Sequence, residues 1–204
     1  MVERDVVAAR TREKVLKAAT KLFAQKGLAG VPLRDIAKAA GVPLSTLAHH
    51  FSPKEKLQEA VIYRALDVIT SESMRIELSG TPREQLHKYI ERLVRLQLSD
   101  VPEIKLLDRE FQSLNDDMIS SLVLRSFKDN PASTMRLAEI IRSTGSDAIK
   151  SIEPWRLACI LFSLIFGLIK LRPIHRMDPN APLADAKTIT FETSFIFERV
   201  LGID

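Results

Sequence analysis

Cysteine is nearly absent from this chain. Cys159 stands alone among 204 residues, so no intramolecular disulfide can form and a cysteine-built metal site is not available. Long apolar runs are missing too. The longest uncharged one, Leu157 to Ile169, is 13 residues, short of the roughly 18 to 20 that a bilayer span needs, and it is expected to be a buried helix. The N-terminus, "MVERDVVAARTREK", is charged from residue 3 and shows no apolar core of a secretory signal, so a cytoplasmic protein is expected. The four histidines, His49, His50, His87 and His175, have no metal-ligand spacing. There is no glycine-rich phosphate loop and no nucleophile elbow. No catalytic residue, metal or cofactor is expected, and an enzyme is disfavoured.

What is present is ordinary for a globular protein, at 46% hydrophobic and 27% charged residues, with enough chain for one domain and a smaller companion. The charge is uneven. Residues 1–60 hold 11 Lys/Arg against 6 Asp/Glu, net +5, and the remainder holds 19 against 20, net −1. A basic front beside a neutral body suits either a polyanionic partner for the front or a solvated basic surface.

Helical periodicity runs through nearly every segment, and the punctuation is Pro, Ser and Thr at helix starts. The expected helices are Thr11 to Lys26, stopped by Gly27; Pro32 to Ala40, ended by Gly41; and Leu44 to Phe51. A long one follows, from Pro53 to about Ile76, with Ser52 as N-cap and Glu55 as its capping-box partner. Its 24 residues would span about 36 Å. "TPRE", Thr81 to Glu84, repeats that start signal for a helix to Leu98. Later helices are expected over Pro102–Leu114, Asp116–Phe127, Pro131–Thr144, Pro154–Leu171 and Leu183–Leu201. "TITFETSFIF", Thr188 to Phe197, alternates like a strand, yet the chain offers it no strand partner, and helix is expected. The fold class is all-α: a helix-turn-helix domain over residues 1–52 and a larger helical domain over 53–204.

Two short helices joined at Gly41 have the dimensions of a helix-turn-helix. Ala37 is small where they cross, Gly41 can take positive φ, and Ile36, Val42 and Leu47 supply buried contacts. Leu44, Ser45 and Thr46 would then open the helix offered to base edges. The ordered run "TREKVLKAATKLFAQKGLAGVPLRDIAKAAGVPLSTLAHHFSPKEKL" resembles the N-terminal domain of the TetR family of transcriptional repressors over residues 11–57.

That resemblance implies a homodimer reading a palindromic double-stranded DNA operator, released when a small molecule occupies the C-terminal domain. It places Arg34, Thr46, His49 and Lys54 against DNA, with Phe51 in the core and His50 in packing. This chain departs from the family pattern at Pro32, Pro43, Leu44 and Ala48, where hydroxyls or basic groups usually touch phosphate. Each missing hydrogen bond costs on the order of 1 kcal/mol. Leu44 and Ala48 can instead meet thymine methyls, so a T-rich operator with a weaker backbone grip is expected. A protein of this fold that binds a ligand but no longer binds DNA is the alternative.

The resemblance also implies a four-helix dimer contact. Cys159, Ser163 and Gly167 are small residues at four-residue steps, and the contact is expected on Ser163, Leu164, Gly167, Phe191, Phe195 and Val200, with an intramolecular core helix over 154–171 as the alternative. A hydrophobic or amphipathic effector is expected among helices between residues 60 and 175. Tyr63, His87, Tyr89, Leu107 and Phe111 are candidate lining residues from the first part of that range, and Met118, Trp155, Phe162 and Phe166 from the second. Each of these has plain core packing as its competing role.

Overall fold

The computed structural model describes residues 2–77, 79–110, 121, 124–125, 128–129, 131–143, 152–171 and 185–201. Its helices are α1 (Val2–Lys26), α2 (Leu33–Ala40), α3 (Leu44–His50), α4 (Lys54–Met74), α5 (Pro82–Gln97), α6 (Pro102–Glu110), α7 (Pro131–Ser143), α8 (Pro154–Lys170) and α9 (Ala186–Leu201). No strand occurs among the described residues. The fold class is all-α, as expected. The expected helix 116–127 lies mostly outside the described residues. None of the described helices is long and apolar enough to cross a membrane.

The chain packs as two compact units, one of residues up to 68 with 100–126, the other of 69–99 with the residues from 127 onward. In the first, α1 packs on α2 and α6, burying Val15, Leu16, Ala19 and Phe23. Those residues recur every three or four positions, the period of one helix face. Ile36 and Ala37 of α2, Leu47 of α3, Phe51, and Leu57 and Val61 of α4 are also buried. Each large apolar side chain so buried stabilises the fold by about 1.5–3 kcal/mol. Polar ties cross the same unit. Arg64 of α4 holds both carboxylate oxygens of Glu13 on α1, at 2.7 and 2.8 Å, and reaches Glu103 of α6 at 3.3 Å. Burial disfavours that guanidinium charge, but the two carboxylates outweigh it and hold the group more firmly protonated.

In the second unit α5 packs on α7, α8 and α9, and α8 on α7 and α9. The core joins Leu86, Tyr89, Ile90 and Val94 to Leu137, Ile140 and Ile141, Leu157, Leu161 and Ile165, and Ile189 and Phe197. "TITFETSFIF" is helical throughout. Ile189, Thr193 and Phe197 are buried while Phe191 and Phe195 face out, so burial against α5 and α8 selects the helical period over the alternation. At the end of α4, Glu72 takes both Arg75, at 2.7 Å, and Arg92. The bond from Arg92 is the main cause that lowers its carboxylate pKa.

Three boundaries differ from expectation. α1 begins at Val2, not Thr11, because helical propensity continues through "VERDVVAAR" although Asp5 to Arg10 are exposed. Pro32 is the N-cap of α2 rather than its first residue. α4 starts at Lys54, which leaves Pro53 ahead of the helix and not at its first position. The "TPRE" signal forms as expected: Thr81 Oγ1 accepts from the Glu84 N–H at 3.3 Å, and the Thr81 N–H donates to Glu84 Oε2 at 2.7 Å.

Candidate nucleic-acid interface and outer cleft

The turn between α2 and α3 is made by Gly41, at φ 66° and ψ 37°, a left-handed conformation that costs a residue without Cβ little. The Gly41 N–H donates to Lys38 O at 3.2 Å, and the Val42 N–H to Ala37 O at 3.0 Å, which closes the helix end. Neither α2 nor α3 has a side-chain cap: Pro32 and Pro43 sit in extended backbone and offer only their carbonyls. The Leu47 N–H takes Pro43 O at 3.1 Å. Leu47 and Phe51 hold α3 to the core while Leu44, 49% exposed, Ser45 and His49 face outward. Thr46, Ala48 and His50 are half-buried. Arg34 is exposed on α2 and pairs with Asp35 at 3.7 Å. Arg34 on α2 and the opening residues Leu44 and Ser45 of α3 are thus each exposed.

The loop before α2 is held from two sides. Lys54 Nζ donates to Ala29 O at 3.3 Å and Gln58 Nε2 to Leu28 O at 3.1 Å. From α6, buried Glu110 accepts the Leu28 N–H at 3.3 Å, and Arg109 donates to Gln25 O at 2.9 Å. A Cβ on Gly27, φ 82°, would stand 3.1 Å from that Glu110 oxygen, so glycine is needed there twice over. Lys54, expected at a phosphate, thus also has an internal role. Arg12 lies over the Phe51 ring at 5.3 Å. Nothing in the sequence singles out Glu110, Arg109 or Gln58, because their partners are backbone atoms up to 84 positions away.

The candidate effector residues fall in different places. Tyr63, half-buried under Arg125 at 4.5 Å, and buried Leu107 belong to the first unit. Tyr89 is plain core in the second. Phe162 and Phe166 are half-buried and stacked at 6.4 Å. Trp155 is 37% exposed on the outside of α8, so its apolar ring lines no interior there. Phe111 and Met118 lie outside the described residues. His87 also faces outward. Its Nδ1 meets Ser194 Oγ at 3.1 Å across α5 and α9, in a cleft of about 350 Å³ lined by Arg83, Glu84, His87, Lys88, Phe191, Ser194, Phe195 and Glu198. Arg83 binds buried Glu198 at 2.8 Å, which raises the pKa of its guanidinium further. The signal for this cleft was the four-residue spacing of Arg83 with His87 and of Ser194 with Glu198, which places each pair on one helix face.

Of the expected dimer residues, Ser163 and Gly167 are exposed on α8, Leu164 is half-buried, and Phe191 and Phe195 are 65% and 52% exposed on α9. The Val200 side chain lies outside the described residues. No cluster that could hold a metal occurs among the described residues.

Residues 15–61 match the sequence profile of bacterial regulatory proteins, tetR family. The chain is 35% identical over 79 residues to the transcriptional repressor KstR2 of Mycolicibacterium smegmatis, a match covering 38% of either protein. It therefore spans little more than a third of the length of the curated relatives it matches. Solved structures are similar across nearly all of it. A tetR-family regulator from Mesorhizobium loti superposes with TM-score 0.64 at 22% identity, over 96% of this chain and 97% of that one. AibR, solved in complex with isovaleryl coenzyme A and operator DNA, superposes with TM-score 0.61 at 18% identity, over 91% of this chain and 97% of that one.

Proposed function

We propose that this chain, which belongs through residues 15–61 to the tetR family of bacterial regulatory proteins, is a ligand-responsive transcriptional regulator and not an enzyme. It represses by holding a palindromic operator as a cytoplasmic homodimer, and a hydrophobic or amphipathic small molecule releases it. The observation that carries this reading is the α2–Gly41–α3 geometry: a closed turn, a buried inner face at Ile36, Ala37 and Leu47, and an outer face that presents Arg34, Leu44, Ser45 and His49.

In this reading Leu44 and Ala48 meet thymine methyls, while Ser45, Thr46 and His49 offer polar contacts to the groove. Arg34 and Lys54 supply charge to phosphates; Lys54 donates one hydrogen to Ala29 O and keeps two. The partner copy covers Ser163, Leu164, Gly167, Phe191, Phe195 and Val200. Two recognition helices must then stand about 34 Å apart to enter successive major grooves, and the effector stabilises a different separation. Glu110 and Lys54 grip the loop before α2 from α6 and α4, so movement of either helix reaches the DNA-reading surface. One fold can hold both ligands, since AibR was solved with an acyl-CoA and operator DNA together.

The test is selection of genomic fragments by the purified dimer at moderate salt, followed by the salt dependence of the selected site. One enriched palindrome with T-rich half-sites is expected, and Lys54→Gln should flatten the log–log salt slope by about 0.9 for each phosphate that it no longer neutralises. A folded dimer, freed of co-purified ligand, that enriches nothing overturns the reading and favours a ligand-binding protein without DNA function. The missing caps at Pro32 and Pro43 are the observation behind that second reading.

A further inference from the structure

We propose that the solvent face of α1 is a sequence-independent binding surface for the phosphate backbone of duplex DNA, apart from the α2 and α3 residues assigned to the operator; its biological role rests on the regulator reading above. Arg10, Lys14, Lys17 and Lys21 recur at steps of four, three and four residues, the spacing of a single helix face. α1 is unbroken from Val2 to Lys26, and all four side chains are exposed. Val15, Leu16, Ala19 and Phe23 are buried on the opposite side of the same turns, so the stripe faces away from the core of the first unit. From Arg10 to Lys21 it runs about 16 Å, a length over which duplex DNA presents roughly ten phosphates.

Helix stability does not account for the stripe. Arg10 with Lys14, Lys14 with Lys17 and Lys17 with Lys21 are like charges three or four positions apart, and such pairs destabilise a helix. A solvated face built for stability alternates its signs. On α5, Arg83, Arg92 and Arg95 each meet a carboxylate: Glu198 at 2.8 Å, Glu72, and Glu91 at 2.8 Å. On the α1 stripe only Lys17 has an ionic partner among the described residues, Glu13 at 3.8 Å. Arg64 already holds both oxygens of that carboxylate, at 2.7 and 2.8 Å.

A row of cations without counter-charges fits a repeating anion, and two extended arrays of phosphate could supply it. A helix that lies on an anionic bilayer inserts large apolar residues beside its cations. Between Arg10 and Lys21 this face carries none, and only Val6 and Val7, one turn earlier, are exposed apolar side chains of α1. Duplex DNA requires no such insertion. α1 also packs directly on α2 and α3, so the stripe belongs to the same unit as the candidate reading helix, and its charge adds to that unit's attraction for DNA.

The test is fluorescence anisotropy of a short random-sequence duplex titrated with the full-length protein across a salt series. Arg10→Gln/Lys14→Gln/Lys17→Gln/Lys21→Gln is compared with Lys128→Gln/Arg142→Gln/Arg156→Gln/Lys187→Gln, which removes the same charge from exposed positions of the second unit. The stripe variant should bind about tenfold or more weakly at low salt and flatten the log–log salt slope by about 0.9 for each cation that meets a phosphate, while the control variant stays near wild type. Its thermal unfolding should be unchanged or raised, because repulsion between like charges is relieved. An unchanged slope in the stripe variant, an equal loss in both variants, or stripe-dependent binding to phosphatidylserine vesicles that is tighter than to duplex overturns the proposal. Operator selection on the same samples separates the two readings. An operator selected with a stripe-independent slope keeps the regulator and removes the stripe; stripe-dependent binding of random duplex without any selected operator does the reverse.

Discussion

The short helices α2 and α3 of the first packing unit and α5 of the second stabilise their polar backbone ends in opposite ways. In the first, α2 and α3 are 8 and 7 residues long and start without a side-chain cap, and the loop before them depends on Lys54, Gln58, Arg109 and Glu110 from distant helices. In the second, α5 caps itself with Thr81 and Glu84, three residues apart. The surfaces differ to match. The first unit turns Arg34, Ser45 and His49 outward beside Leu44, whereas the second turns Phe191, Phe195 and Ile160 outward. A helix of seven or eight residues is marginal by itself, so its stability must be imported through tertiary contacts. α5 has a local signal at its start, whereas α8 of the same unit starts without a side-chain cap.

Core deletion should hit the first unit hardest. Leu47 is fully buried in a helix of seven residues, and Leu47→Ala should cost about 2–5 kcal/mol. Urea unfolding followed by circular dichroism, with operator affinity alongside, measures it. An unchanged midpoint with intact DNA binding would show that α3 does not depend on that contact.

The imported ties come next. Glu110→Ala leaves the Leu28 N–H without its acceptor and should cost about 1–3 kcal/mol, while Glu110→Gln keeps a neutral acceptor and should recover part of the loss. Equal stability of the two variants would remove the tie from the comparison. This contact was not legible in the sequence, because nothing at Glu110 signals a backbone partner 82 positions earlier. Thr81 was legible, because its partner is three residues away.

The smallest effect is at the caps themselves. Thr81→Ala should destabilise by about 0.5–2 kcal/mol, and Pro43→Ser, which gives α3 the hydroxyl it lacks, should stabilise by a similar or smaller amount. Thermal unfolding of both variants checks the pair. A stabilised Pro43→Ser protein that also binds operator more tightly at low salt would make Pro43 a position where stability and phosphate grip were both given up. A destabilised one would mean that the rigid φ of proline contributes more to α3 than a cap would.

The all-helical class, the turn at Gly41, the burial of Ile36, Leu47 and Phe51, and the capping box at Thr81 were readable from sequence. Each is a short-range pattern in which residue type and spacing alone carry the physics. Val42, expected among the buried contacts, is half-buried. "SPKE" shows the limit of that method: it carries the same signal as "TPRE", yet α4 starts at Lys54, after its proline, whereas α5 starts at its proline, Pro82. Only the tertiary structure decided that Trp155 and His87 face outward, that Tyr89 is core, and that Arg83, Lys88, Ser194 and Glu198 meet in one cleft. Those outcomes depend on which face of α5, α8 and α9 the neighbouring helices cover. A helix period defines the faces but not which neighbour will bury them.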